Sequence, residues 1–566
     1  MLNSRYFIKL FCALVFLSNT SAFAQSPKPK LILQITVDQL RGDLVPRYID
    51  RMGEGGFKYL LSKGVVFGDA HHLHANTETI VGHTTLATGA NPSTHGMVGN
   101  VWFDYKDGRL QYNVEDAEYP ILAEGAGVNK DTEIDPTQRT AKTDGRSPRA
   151  IMVSTFSDEL AIATAGKAKI FGVSVKDRGA ISMAGHAGKA FWFSKQSGAF
   201  ITSSFYYKDV PEWVVQWNAK GVPFEYAGKS WKLLNDKATY QNGARDDLSW
   251  ETELPGFGRT FPHSFGEADD QLFTTLLTVS PAGDALTVDF AKTLFDAEKL
   301  GDDEVTDFLS VSLSSTDYVG HIFGPSSLET EDNLLRLDQQ IADLLAFINE
   351  RVGLDNTLIV LSADHGGAEP PGYLEELGIP AMYIDPKSWE KKPSFAKLKA
   401  RFGIGEKLVE TYFHPYLYLN REIIAAKKLD FDEVSEAVAI ELAKMPGVFA
   451  AYSSVALARG QHPKSRIVDA VMANYNAQRS GDVFVVFQPH SFINDFDGLS
   501  VASHHSSPWQ YDSFVPMIFA GFGLKPNRVA RRVHTIDLAP TLSSFMQIKP
   551  PSGADGVPLP EVLSGR

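Results

Sequence analysis

The sequence predicts an α/β fold in which helices cover both faces of a mostly parallel sheet, and three observations carry that expectation. Short apolar runs at residues 31–37, 169–175, 308–315, 357–363 and 514–520 are each bounded by polar residues. Continuous apolar strands of this kind are buried on both faces, as in parallel sheets. Helical patterns separate some of them, most clearly Leu334, Leu337, Ile341, Leu344, Leu345 and Ile348 after an acidic first turn at Glu329, Glu331 and Asp332. Finally, 566 residues that are 43% hydrophobic can fill a large core without staples, and no internal repeat interrupts them. One elaborated core is therefore expected rather than a string of domains.

Residues 1–24 read as a removable signal. Arg5 and Lys9 precede an apolar run at 10–17, and Ser21-Ala22-Phe23-Ala24 gives a small-x-small ending before Gln25. The run is too short to span a bilayer, so it predicts an exported protein with a cleavable leader. Cys12, the only cysteine, lies inside that leader, and the Phe11 before it does not suit lipoprotein cleavage. A mature chain without thiols has no cysteine nucleophile and no cysteine metal ligand, so any metal must be held by His, Asp, Glu or a hydroxyl oxygen. The chain carries a net charge of -14, and cleavage removes Arg5 and Lys9 but no acid. Such a surface disfavours nucleic acid and anionic membranes as partners.

The mature chain, 25–566, is read as one catalytic domain with two insertions. From about 194 to 284 the sequence turns aromatic and rich in Gly, Pro and Trp without a strong period, as expected of an inserted cap. From about 416 to 487 a strand, helix, strand, helix, strand order suggests a small α+β subdomain, with its best helix at 431–445.

Four expected strands end in an ionisable residue: Val37 then Asp38, Val175 then Lys176, Thr316 then Asp317, and Ala363 then Asp364. Ligands of open α/β sheets bind outside the carboxyl ends of the strands, so these groups should converge on one edge. Asp317 and His321 are four apart and would face one cation if that segment turns helically. Asp364-His365 is followed by two glycines that allow a tight turn around one ion or two neighbouring ones. His504 and His505 add late imidazoles, and together these groups suggest a binuclear O/N site. Residues 76–83 look like a capped helix start, which would set the Thr79 hydroxyl in the positive end of the helix dipole. Lys176 and Arg178 are two apart, which would set both on the same side of an extended segment.

Taken in order, Asp38, Asn76-Thr77-Glu78-Thr79-x-x-Gly82-His83, Gly99-Asn100, Lys176-Asp177-Arg178, Asp317-x-x-x-His321, Asp364-His365-Gly366-Gly367 and a late His before Ser507-Pro508-Trp509 resemble one family. It is the threonine-dependent, phosphate-irrepressible alkaline phosphatases of bacterial periplasms, relatives of type I phosphodiesterases and nucleotide pyrophosphatases. The resemblance runs from Leu31 to about Val557. It implies an alkaline-phosphatase-like three-layer sandwich, a periplasmic monomer, and hydrolysis of phosphate monoesters through a phosphothreonine on Thr79. It also implies two zinc ions, one on Asp317, His321 and His505, the other on Asp38, Asp364, His365 and the Thr79 oxygen. His505 is followed by Ser506 where the family commonly has glycine, and His504 competes with it. His71, His72, His74 and His83 match no ligand position and are read as structural.

In the family, a Lys-x-Arg pair marks the monoesterase branch, while diesterases offer an apolar groove for a second substituent. A sulfatase is disfavoured because the region of Thr79 has no cysteine or serine of the kind converted to formylglycine. A phosphoglycerate mutase is disfavoured because that branch uses serine and manganese and is usually cytosolic. A binding protein that had lost catalysis would need a broken ligand set, and none is visible.

Overall fold

The structure, a computed structural model, describes residues 27–564 apart from Asp497. The proposed leader at 1–24 lies outside the described residues. Among those described, ten strands form the central sheet: β1 (Leu31–Val37), β2 (Val65–His71), β3 (Ile170–Ser174), β4 (Lys189–Ser194), β5 (Ala199–Ile201), β6 (Asp307–Leu313), β7 (Thr357–Ser362), β8 (Phe514–Gly521), β9 (Asn527–Val529) and β10 (Val533–His534). They lie in the order β9-β2-β8-β7-β1-β6-β3-β4-β5, with β10 also beside β2.

β1 runs parallel to β6 on one side and β7 on the other, and β3 and β4 continue the parallel set. β8 is antiparallel to both β7 and β2. This reversal matters to the site. Met517 pairs with Ser362 and Gly521 with Leu358, so the loop entering β8 lies at the edge where β1 and β7 end.

The two faces of β1 show why it reads as an apolar run broken only by Gln34 and Thr36. Leu31, Leu33, Ile35 and Val37 pack with Leu334, Leu337, Ile341 and Leu345 of the helix Leu328–Arg351. Ile32 on the opposite face packs with Phe156, Leu160, Leu538 and Leu542 from the helices Phe156–Ala163 and Leu538–Met546. Alternate residues point to opposite faces, so both must be apolar when helices cover both. The result is a three-layer α/β architecture.

The aromatic segment 194–284 packs into the main body. Phe200, Trp217, Trp231, Phe257 and Phe273 share one core with β1, and the Phe200 ring stacks on Phe290 with centroids 4.1 Å apart. A small antiparallel sheet follows, with Val409–Phe413, Tyr416–Leu419, Val483–Phe487 and Val448–Ser453 as neighbours, over an apolar core of its own that includes Phe395, Leu417, Val438 and Val485. It begins before the pattern at 416. Val409–Phe413 is half-buried along its whole length and carries Glu410 and Thr411, so its sequence lacks the continuous apolar signal of a covered strand.

Candidate active site

Asp38 directly follows β1, and Asp364 lies two residues beyond β7; both are fully buried. The pairing of Thr36 with Ser362 sets them side by side. Asp317 is not at a strand end as expected. β6 stops at Leu313, and Asp317 belongs to the helix Ser315–Phe323. That helix starts early because the buried Asp284 carboxylate accepts the Ser315 N–H at 3.0 Å, doing the work of an N-cap from another helix. His321 is one turn further on, with Nε2 3.3 Å from Asp317 Oδ1.

The potential ligand atoms of Asp38, Asp364 and His365 all lie within 4.8 Å of one another, as do those of Asp317, His365 and His505, and those of His321, His504 and His505. Three imidazoles have fixed tautomers. His365 Nδ1 bonds Gly366 O at 2.9 Å, His321 Nδ1 bonds Ser503 O at 2.8 Å and His505 Nδ1 bonds Thr77 O at 2.7 Å, which turns each Nε2 toward the cluster. Asp38 Oδ1 and Nε2 of His365 are buried without a hydrogen bond, while Asp38 Oδ2 and Asp364 Oδ2 are met only by Lys176 and His83. Orphaned groups of this kind cost about 1–3 kcal/mol each unless something else satisfies them. Burial and the facing Asp364 push the Asp38 carboxyl well up, while Asp364, although buried, is held low by His365 and His83. An O/N donor set with unspent lone pairs and mutual repulsion fits divalent cations. His505 shares a group with Asp317, whereas His504 appears only beside His321 and His505.

Sequence reasoning missed the residue that ties these groups together. Gln39 has φ 62°, and this left-handed turn lets its N–H donate to Asp364 Oδ1 at 3.1 Å while its side chain donates to Asp317 Oδ1 at 2.8 Å. Room for its carboxamide comes from Gly320, where a Cβ would lie 1.9 Å from Gln39 Oε1. His83 is more than filler: Nδ1 is 3.0 Å from Asp364 Oδ2, and Nε2 is 2.8 Å from Ser312 Oγ. Gly82 beside it allows the close approach, since a Cβ there would meet the Asp364 carbonyl at 1.9 Å. The signal for Gln39 was only its position after Asp38.

The helix carrying Thr79 spans Thr79–Thr88, and its cap residue is Glu78, whose side chain makes no cap bond. The capped start expected over 76–83 therefore has no cap from its own segment, and Asn100 Oδ1 takes the role by accepting the Ile80 N–H at 3.1 Å. Thr77 is used elsewhere, because its Oγ1 accepts from the N–H groups of Ser506 at 3.2 Å and Ser507 at 3.0 Å and pins the His505 loop. Thr79 thus sits at the first position of a buried helix, where the helix dipole favours negative charge.

Lys176 and Arg178 do not share an extended segment. Lys176 is the N-cap of the helix Asp177–Ala184, and Arg178 lies within its first turn. The fully buried Lys176 Nζ is 2.8 Å from Asp38 Oδ2 and pairs with Asp317, beneath the site rather than on its wall. Arg178 Nη2 is 3.5 Å from Thr79 Oγ1, and its Nη1 is 2.8 Å from Asp135 Oδ2. Asp135, also unforeseen, comes from a loop without periodicity. Thr79, Asn100, Arg178, Asp317, His321 and His505 form the floor of a cleft of about 700 Å³. No residue of 194–284 lines it; the walls come from 110–140, 384–417 and 493–501.

This α/β fold with carboxylates and imidazoles around a helix-start threonine places the chain in a defined class, and the match to a family model over residues 32–507 shows that it belongs to the type I phosphodiesterase/nucleotide pyrophosphatase family. Within that class it is 36% identical over 543 residues to alkaline phosphatase PafA of Elizabethkingia meningoseptica, covering 95% of each chain. It is 35% identical over 540 residues to a Myroides odoratus protein named calcium-transporting ATPase, again covering 95% of each. It is 33% identical over 575 residues to alkaline phosphatase PhoV of Synechococcus elongatus, covering 98% of this chain and 100% of that one. The crystal structure of wild-type PafA matches with a TM-score of 0.86 and 35% identity, covering 95% of this chain and 99% of that one.

Proposed function

We propose that the chain is an alkaline phosphatase that hydrolyses a broad range of phosphate monoesters, with Thr79 as nucleophile. The observation that carries this is the meeting of Thr79 Oγ1 and the Arg178 guanidinium, 3.5 Å apart, over the carboxylate and imidazole cluster. Thr79 Oγ attacks phosphorus, the ester oxygen leaves toward the open cleft, and a phosphothreonine forms. Water then attacks phosphorus, releasing phosphate and restoring the hydroxyl. Arg178 and the positive end of the Thr79 helix dipole stabilise the non-bridging oxygens as their charge grows. Lys176 holds Asp38 and Asp317 in register and lends positive charge from below.

Asp38, Asp364, His365 and the Thr79 oxygen would hold one divalent cation, and Asp317, His321 and His505 the other. The donor set favours zinc. When bound, such a pair lowers the pKa of the threonine hydroxyl and stabilises attacking and leaving oxygens. The leader expected at 1–24 supports a periplasmic location, and no helix among the described residues is long and apolar enough to cross a membrane. Support comes from the alkaline phosphatases among its relatives, and from a solved PafA variant in which a threonine, an asparagine, a lysine and an arginine are replaced. The same four residue types converge here.

The test is phosphate release from an aryl monoester before chelation, after it and after zinc return, together with acid-quench trapping of a phosphorylated Thr79 peptide. Turnover that survives complete chelation would contradict the proposal. A second reading, a phosphodiesterase on the same floor, is favoured by one observation, the apolar cleft walls, which would seat a second ester substituent.

A further inference from the structure

We propose that the cleft above Thr79 is a leaving-group subsite selecting monoesters whose alcohol carries a flat, uncharged aromatic ring; this rests on the monoesterase reading above. A cleft of about 700 Å³ is far larger than a phosphoryl group needs and lies within the range of about 300–1,000 Å³ typical of organic ligands. Its walls are mostly apolar and aromatic, with Ile134 and Ile322 on one side and Trp389, Tyr412, Phe496 and Leu499 on the other.

The aromatic wall starts at the reaction floor. The Phe496 ring meets the His321 imidazole edge-on at 5.2 Å, where an alcohol leaving Thr79-bound phosphorus would emerge. Further out, Trp389 and Tyr412 pack edge to face at 5.1 Å. The wall is tied to the floor, because Tyr412 OH bonds His414 Nδ1 at 2.8 Å and His414 Nε2 bonds Ser506 O at 2.9 Å, next to His505. The Tyr412 hydroxyl is thereby engaged, and its ring remains as contact surface. A rigid aromatic ring gains both apolar area and edge or face contacts here at small cost in rotamer freedom.

The rim supplies the charge selection. Asp385, Glu390, Glu410 and Asp495 stand with Lys387 and Lys407 at the rim; Lys387 is paired to Asp495 at 2.6 Å and Glu390 to Lys399 at 3.3 Å, which leaves a small excess of carboxylate. An excess of carboxylates repels a leaving group that carries a further phosphate or carboxylate.

The experiment uses the metal-loaded full chain and three alkyl phosphates whose alcohols have similar acidity: 2-phenylethyl, n-propyl and 3-carboxypropyl phosphate. The phenylethyl ester should exceed the propyl ester in kcat/KM by about ten-fold, the scale expected for burying a ring, and the carboxypropyl ester should fall below it. Phe496→Ala and Leu499→Ala should each lower kcat/KM for the phenylethyl ester several-fold more than for the propyl ester. Equal kcat/KM for all three esters overturns the subsite and leaves the phosphatase assignment standing. If none is hydrolysed, the proposal falls together with the reading beneath it.

Discussion

The floor and the walls of the cleft are built on opposite principles. Floor residues follow directly from strand ends and helix starts, are almost wholly buried, and are held by backbone partners: Asp38 after β1, Asp364 after β7, His505 on a loop pinned by Thr77. Wall residues come from the segments 110–140, 384–417 and 493–501, are often half-exposed, and reach the floor through a few bridges such as His414 to Ser506. Chemistry set by the sheet edge is hard to move, whereas walls built from loops and a separate small sheet can change without disturbing it.

The largest expected effect belongs to the floor. Thr79→Ala should lower kcat/KM for a monoester by about 10³-fold or more while metal content measured on the purified protein stays near that of wild type. Equal loss at a wall residue such as Phe496 would erase the distinction.

Gln39 tests whether the floor is one unit. Gln39→Ala removes the bond to Asp317 but keeps the N–H that braces Asp364. Metal affinity, read by competition with a chromophoric chelator, should fall by about 10–100-fold. Unchanged affinity would make Gln39 a bystander.

Behind the wall, Thr252 donates its N–H to Ile322 O at 2.8 Å and its hydroxyl to Ser500 O at 2.9 Å, and its neighbour Glu251 is buried. Burial first, then the Glu329 charge, push the Glu251 carboxyl from 4.5 up to about 9. Folding therefore favours the protonated form. The penalty is absent below pH 4.5, grows through the window and is complete above pH 9. Glu251→Gln should accordingly gain in Tm over wild type as pH rises across that window. A gain that is flat with pH would contradict the account.

The smallest effect lies at the join. Ser506 has φ 85°, in the left-handed region that favours glycine. Ser506→Gly should leave Tm unchanged or raise it, while Ser506→Val, with a β-branched side chain there, should lose about 1–3 kcal/mol in denaturant melts.

What the sequence shows clearly is what periodicity and strand-end placement encode. The parallel strands, the helix at Leu334–Ile348 and the Asp, His and Thr residues of the floor were all legible. The antiparallel direction of β8 was not, because an apolar run has no arrow. Asp317 on a helix, Asn100 as a cap and the Asp135 partner of Arg178 depend on contacts between segments far apart in the chain. Residues 194–284 looked like a cap because their period is weak, yet their aromatics join the main core. Weak periodicity reports irregular backbone, not separation from the core.

The most direct test of the central claim is the ratio of kcat/KM for an aryl phosphate monoester to that for the matching diester, measured on the metal-loaded protein. With Arg178 beside Thr79 and Lys176 beneath the floor, the monoester should lead by many orders of magnitude, and Arg178→Ala should reduce that lead. A ratio near or below one would keep Thr79 and the ligand cluster but contradict the monoesterase assignment, placing the chain with the phosphodiesterases of its family.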